Sequence, residues 1–574
     1  MCINRDNLTF SNPNDIANEL NNYYIDVIEN NPQIDKSRPN FKFENLISQS
    51  LFMTPVSIFD IKRIIIDLKN TQTVGYDGVS TKVIKYVNEI IAPPLAHIIN
   101  LCITEGVFPN SLKKVIIKPL FKKNDKTDPK NYRPIAKIPV FSKIIEKVIY
   151  NSIYTYFEKY NLFCMEQKGF RKKCGVNMAL YDLLSTVMAS VDKKNPVCAI
   201  FTDMSKAFDY VDHKLLLQKL YGYGLRGNIL DLLESYLNNR YQSTEITRLC
   251  PQTKIETIYT SKSRLLKYGV PQGSVLGPLL FLIYINDLPK MTQQKMVLFA
   301  DDSTAIIECR NPNHYENDIN TSLSKIIDWL NSNNLVINLD KTKIMQFHQR
   351  CANPNISLTY NNYILDTVNN TKFLGITIDN KLTWKPHIEN LCNRLSKSAY
   401  ALFQLSKKID IKTLIIAYHG LVASVLRYGI IFWGQSTDRE LIFRLQKRCI
   451  RCMCGLKTTD SCVPLFKFLK ILTLPAMYIL ETAVFVKSNP HLFEKLSAVR
   501  KMPIRAQYNS QLCQTKCKTA LMTKSFFGIA PKIFNKIPDN VKKLPILKFK
   551  KTLTSLLVEK CYYKIDDFLN DNTL

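Results

Sequence analysis

The chain has 574 residues, 46% of them hydrophobic, with a formal net charge of +30 and a pI near 9.4. A chain this apolar can bury a sizeable core, which excludes an intrinsically disordered protein, and its length predicts several domains. The charge predicts a polyanionic partner, with nucleic acid ahead of an anionic membrane surface.

Residues 1–50 are rich in Asn, Pro and charge, which predicts a helical or poorly ordered lead-in without the apolar segment of a secretory signal. Ile58 to Leu68 has apolar residues at helical spacing, with Ser57 as N-cap and Asp60 three residues on. Gly75-Tyr76-Asp77-Gly78 predicts a turn ahead of another helix from Ser80. Val115 to Phe121 reads as a strand, Lys122 to Lys126 as a basic loop, and Asn131 to Ile135 as the return strand. A long helix is expected from Phe141 to Tyr160.

Val197 to Asp203 is a short apolar strand ending in an acid. Lys214 to Tyr221 and Asn228 to Asn238 are helical, split at Gly222-Tyr223-Gly224, and Gly269 to Ser274 is a loop opening a buried helix from Leu276 to Asp287. Met296 to Phe299 and Thr304 to Ile307 alternate around Asp301-Asp302, which predicts strand, tight turn, strand. A helix (Asn320 to Asn331) and short strands near Ile344 and Ile376 follow, and beyond Lys381 the pattern is mostly helical.

Lys381 to Leu574 carries 33 Lys and Arg against 12 Asp and Glu, a surplus of 21 positive charges, so the last third is the main electrostatic footprint. Leu414 to Trp433 is interrupted by His419 and Arg427 and reads as a buried helix, not a membrane span. The sixteen cysteines read as reduced thiols. Cys449, Cys452 and Cys454, and Cys513 with Cys517, lack paired ligand spacing, so small buried residues are expected there instead of zinc.

Two adjacent carboxylates at a hairpin tip repel, and keeping both ionised in a half-buried place calls for a cation. Phosphoryl transfer needs charge neutralisation and alignment, and hard cations such as Mg²⁺ want carboxylate oxygens. Asp203 at the end of one strand and Asp301-Asp302 between two others would converge if those strands are neighbours. Taken alone, an Asp-Asp pair is usually a solvated turn, Phe208 a core aromatic, Gly269 to Gly273 a helix-start loop, and each of Lys122 and Lys123 a solvated lysine. Together they fit a nucleotide site. Phe208 can exclude a 2′-hydroxyl, the glycine loop lets backbone approach a ligand, and Arg133 with Lys122 can meet a triphosphate.

The series resembles the reverse transcriptases of non-LTR (LINE-type) retrotransposons, the jockey-like elements above all. In order it comprises Gly75 to Val79, Asn131-Tyr132-Arg133-Pro134-Ile135, Gln167 to Arg171, Phe201 to Asp209, Gly269 to Pro278, Phe299-Ala300-Asp301-Asp302, Leu339 to Thr342 and Phe373-Leu374-Gly375. Tyr428 to Gly434 and Leu445 to Arg448 are similar to the family's thumb, and Ser525 to Leu556 to its C-terminal tail. The resemblance implies an α+β right-hand polymerase of fingers, palm and thumb, with an antiparallel palm sheet and a basic, mostly helical C-terminal region. It implies a lead-in over 1–50, a helical extension of the fingers over 51–110, fingers and palm over 111–380, a thumb-like region over 381–480 and a basic region over 481–574.

By the same resemblance Asp203, Asp301 and Asp302 bind two Mg²⁺, with Mn²⁺ as an alternative. Phe208 is the sugar gate, Gln272 and Gly273 meet the nucleotide or template, Arg133 and Lys122 meet the triphosphate, and Lys341 donates a proton to the leaving pyrophosphate. The implied partners are an RNA template, a DNA primer or target and dNTPs, with no membrane and a nuclear, intracellular location. Relatives carry an endonuclease ahead of the polymerase, and none is expected before residue 50. An RNA-binding protein without catalysis and an RNA-templated RNA polymerase are the competing readings; the intact acids speak against the first and Phe208 against the second.

Overall fold

The computed structural model describes residues 2–6, 8–31, 46–71, 73–249, 253–308, 314–347, 359–360, 363–457, 459–496, 511–514 and 516–573. They form two compact units. The first comprises Met1–Gly175, Phe201–Ala305 and Ile319–Thr342, and the second Val176–Ile200, Ile306–Asp318 and Lys343–Leu574.

The first unit opens with the antiparallel hairpin β1 (Ile3–Arg5) and β2 (Leu8–Phe10) and the helix α1 (Pro13–Glu29). Asn12 caps α1 by accepting from the Asn14 N–H, and Pro13 sits where a missing N–H costs nothing. Ile16, Leu20 and Tyr24 pack with Ile3, Val115, Ile117 and Ala136 in one core. Within the lead-in, Pro13–Glu29 therefore takes the helical alternative and packs into this core, while 32–45 lie outside the described residues.

The helix α2 (Ile58–Asp67) starts at the Ser57/Asp60 capping box that the sequence predicts. Next come α3 (Thr81–Tyr86), capped by Ser80, and α4 (Asn88–Glu105), stopped by Gly106 at φ +67°. Strand β3 (Lys114–Phe121) pairs antiparallel with β4 (Tyr132–Lys137), and α5 (Val140–Lys159) follows. Helix α6 (Val176–Asp192) belongs to the second unit and leads into β5 (Val197–Ser205).

The helices α7 (His213–Gly222) and α8 (Asn228–Leu237) precede β6 (Arg240–Leu249), which runs parallel to β3. Strands β7 (Glu256–Thr260) and β8 (Arg264–Leu266) both pair antiparallel with β6. Helices α9 (Leu276–Tyr284) and α10 (Leu288–Thr292) are separate, so the single helix expected to Asp287 ends at Tyr284. The expected hairpin is β9 (Lys295–Phe299) and β10 (Asp302–Glu308). After α11 (Tyr315–Ser332), β11 (Val336–Ile337) pairs antiparallel with β5.

In the second unit, β12 (Lys343–Phe347) precedes the small hairpin β13 (Thr359–Tyr360) and β14 (Tyr363–Ile364). It pairs with β15 (Asp366–Thr367). That pair is parallel, so the sheet holding β12 and β5 is mixed and not antiparallel throughout. Strands β16 (Asn370–Phe373) and β17 (Ile376–Asp379) form a hairpin.

Helix α12 (Lys385–Ser406) follows, and the expected buried helix from Leu414 to Trp433 is broken into pieces. They are α13 (Ile411–Tyr418), a π-turn at His419–Ala423, α14 (Ser424–Arg427) and α15 (Ile430–Trp433). Gly429, at φ +63°, makes the last break, and Ile416 and Leu421 are exposed. Helices α16 (Arg439–Cys454), α17 (Val463–Phe468) and α18 (Leu474–Ser488) follow, then helices at Ala520–Lys524, Phe526–Lys536, Asp539–Lys542, Ile546–Lys560 and Ile565–Asn570. Phe526 lies at the centre of an aromatic cluster with Tyr181, Phe432, Phe485 and Phe493. Among the described residues no helix is long and apolar enough to cross a membrane.

Candidate active site

Strand β5 carries Asp203, and β10, which begins at Asp302, is its neighbour in the sheet. Thr202 Oγ1 donates to the Ser303 carbonyl at 3.0 Å, and the two hydroxyls touch. Side chains alternate along a strand, so Thr202 and Ser303 meet on one face and Asp203 and Asp302 share the other. Asp301 lies in the two-residue turn with Ala300, which adopts φ +59°.

The Gln167 to Arg171 segment supports that turn. Gln167 Oε1 accepts from the backbone N–H of Gly169 at 2.8 Å and of Ala300 at 3.2 Å. The Lys168 N–H donates to the Leu298 carbonyl, and the Leu298 N–H to the Glu166 carbonyl. A Cβ on Gly169 would stand 2.4 Å from Ala300 N, so only glycine fits beneath the carboxylates.

The acids feel one another. Loss of hydration, with the Asp203 charge next among the opposing influences, raises the Asp301 carboxyl; Arg133 and Lys122 counteract part of this. Loss of hydration and the charges of Asp301 and Asp203 raise the Asp302 carboxyl to about 6. Lys341 Nζ lies 2.6 Å from Asp203 Oδ2. Its position follows from β11, which pairs Val336 with Ser205, and from the Asn338 N–H, which donates to the Asp203 carbonyl. Arg133 and Lys122 are exposed at the loop end of the β3–β4 hairpin, and the Lys122 N–H donates to the Asn131 carbonyl. Desolvation, then the neighbouring Arg133 and Lys341 charges, lower the Lys122 ammonium.

Phe208, Gln272 and Gly273 form a second cluster. The Phe208 ring stacks on Phe281, centroids 4.6 Å apart, and meets Phe170 edge-on. The Phe208 carbonyl accepts from the Val270 N–H at 2.9 Å, and Gln272 Nε2 donates to Asp209 Oδ1 at 2.8 Å. The Ala136 N–H donates to the Gln272 carbonyl at 2.8 Å, and a Cβ on Gly273, at φ +119°, would stand 2.8 Å from the Ala136 carbonyl oxygen.

Of four further contributors, Gln167, Gly169 and Asp209 lie in motifs that the sequence reading quoted without giving these residues a role, and Glu146 escaped it. Glu146 is fully buried; its Oε2 accepts the N–H groups of Val275 at 2.7 Å and Leu276 at 3.2 Å, capping α9, and its Oε1 accepts from Ser142. The available signal was a carboxylate inside the apolar run Ile144 to Ile149.

Among the described residues no three carboxylate, imidazole or thiolate groups form a ready-made metal cage, and Asp203 is paired with Lys341 instead. The donor chemistry nevertheless fits Mg²⁺. It consists of hard carboxylate oxygens, two of the carboxyls raised by loss of hydration and then by neighbouring acid charge, and Mg²⁺ is commonly held by one or two carboxylates together with substrate phosphates.

A family model described as reverse transcriptase (RNA-dependent DNA polymerase) matches residues 121–378. The chain is 25% identical over 446 residues to the probable RNA-directed DNA polymerase from transposon X-element of Drosophila melanogaster, covering 75% of this chain and 48% of that protein. It is 27% identical over 425 residues to the probable RNA-directed DNA polymerase from transposon BS of the same fly, covering 71% and 46%. It is 26% identical over 427 residues to the RNA-directed DNA polymerase from the fly's mobile element jockey, covering 72% and 45%. The chain thus spans about half the length of the curated relatives it matches.

Proposed function

We propose that the chain is a reverse transcriptase of the jockey-like non-LTR retrotransposon kind that copies RNA into DNA, a reading supported by the family model over residues 121–378 and by the similarity to the X-element and jockey polymerases. The reaction joins a dNTP to a primer 3′-hydroxyl on an RNA template. The observation that carries this reading is the shared face of Asp203 and Asp302, next to Asp301, ringed by the cations Arg133, Lys122 and Lys341.

Asp203, Asp301 and Asp302 would hold two Mg²⁺ or Mn²⁺, which would supply charge neutralisation and an activated hydroxyl. Arg133 grips the triphosphate as a fork and Lys122 as a point charge. Lys341 leaves Asp203 as the site fills and gives a proton to departing pyrophosphate. Phe208, backed by Phe281, excludes a ribose 2′-hydroxyl, and Gln272 with Gly273 faces the nucleotide and template. Fingers and palm extend over 111–380, preceded by the helical extension over 51–110. The region over 381–480 acts as the thumb, and the basic segment over 481–574 grips nucleic-acid phosphates, at an affinity that falls with salt.

The test is extension of a DNA primer on an RNA template by the purified chain with Mg²⁺. Wild-type protein extends the primer, and Asp301→Asn lowers the rate more than about 100-fold while RNA binding persists. Undiminished extension by that variant would overturn the assignment.

A further inference from the structure

We infer that Asp209 is a positioning residue that fixes which end of the Gln272 amide is offered to the nucleotide and template. The inference rests on the placement of Gln272 at that site. An ionised carboxylate only accepts hydrogen bonds, so the amide nitrogen must be the end that meets Asp209 Oδ1, at 2.8 Å. The Oε1 carbonyl is then the end left for a ligand. Gln272 therefore selects a donor, such as a ribose hydroxyl or a base amino group.

The surroundings hold the pair in this arrangement. The Gly269 N–H donates to the Val211 carbonyl at 2.8 Å and the Val270 N–H to that of Phe208 at 2.9 Å, so the loop follows the backbone on either side of Asp209. A Cβ at Gly269, where φ is +81°, would stand 2.7 Å from the Asp209 carbonyl oxygen, so the two segments are as close as backbone allows. Beyond the loop, Glu146 caps the N-terminus of α9. Lys206, Tyr24 and Tyr210 face the Asp209 carboxylate, and His213 and Arg240 line the same small cavity of about 50 Å³. Desolvation raises the Asp209 carboxyl to about 6, so keeping it ionised at neutral pH costs the fold stability.

Asparagine at this position accepts from Nε2 or donates to Oε1, so Asp209→Asn frees the Gln272 amide to turn. The experiment compares dNTP-dependent primer extension and thermal melting at pH 7.5 for wild type, Asp209→Asn, Gln272→Ala and the double variant. The expected result is a fall of about 3- to 10-fold in kcat/KM for Asp209→Asn, mainly through KM, with an unchanged or higher Tm. Adding Asp209→Asn to Gln272→Ala then changes nothing further, because Asp209 acts through Gln272. An equal loss in both backgrounds, no loss at all, or a loss accompanied by a Tm drop of more than about 5 °C overturns the inference alone. A wild-type protein that extends no primer overturns the polymerase reading and this inference with it.

Discussion

Lys341 Nζ lies 2.6 Å from Asp203 Oδ2, so one of the three carboxylates is already neutralised by the chain itself. A divalent cation at Asp203 must displace that ammonium. Lys341→Ala removes the competitor and the proposed proton donor together. The half-saturating Mg²⁺ concentration of primer extension should fall several-fold, while the maximal rate drops by about 100-fold or more. A Mg²⁺ titration reads both, and an unchanged half-saturation point counts against the competition.

Asp302 sets a pH dependence. Its carboxyl is raised from 3.8 to about 6, so between about pH 4 and 6 the folded, metal-free protein holds a proton that the unfolded chain has lost. Its contribution to the stability of that form falls as pH rises through this window and stays low above it. Mg²⁺ should therefore raise Tm at pH 7.5 and scarcely at pH 5, and Asp302→Asn should reduce the difference. The extension rate should show an acid limb near pH 6.

Gly169→Ala places a Cβ 2.4 Å from Ala300 N and 2.9 Å from Phe299 C, and backbone on a turn cannot yield to it cheaply. A loss of about 1–3 kcal/mol is expected in denaturant melts. The loss in extension rate should be larger than global destabilisation explains, because the displaced atoms adjoin Asp301.

Phe208→Ala should relax discrimination between ribo- and deoxynucleotides by at least about tenfold, read as the ratio of kcat/KM values. The stacked Phe281 keeps the neighbouring wall in place, so folding should survive.

In the second unit, Asp192 accepts from the N–H groups of Lys518 and Thr519 and from Thr519 Oγ1 at 2.7 Å, fixing the cap of the helix Ala520–Lys524 to the end of α6. Asp192→Ala should cost about 1–2 kcal/mol and speed proteolysis between 511 and 525. Extension should suffer far less than in Asp301→Asn.

The strands around the three acids were legible because alternation and turn chemistry are local signals. Ser57 with Asp60, Ser80 and the β9–β10 turn lie where the sequence puts them. For residues 1–50 the sequence left helix and poor order both open, because asparagines also favour turns, and α1 takes the helical alternative. Asn21 is in fact buried and bonded to Gln242 and Thr244, a polar core partner 221 residues away that no periodicity detects. The Lys341–Asp203 pair and the Gln167 support of Ala300 are likewise products of tertiary pairing. Between Leu414 and Trp433 the helical pattern was read correctly, while full burial was not, because Ile416 and Leu421 are exposed, and neither was continuity through Gly429. Tyr428 donates its hydroxyl to the Leu374 carbonyl, and Gly429 turns the chain there.

The first unit is assembled from three separated stretches, the last ending at Thr342. On the ribosome, all three aspartates exist before the lysine that answers them. Synthesis from Asp302 to Lys341 lasts a few seconds at ~5–20 residues per second. Until its final segment emerges the nascent site has only Arg133 and Lys122 to offset its acids, so its electrostatic balance is completed late in synthesis.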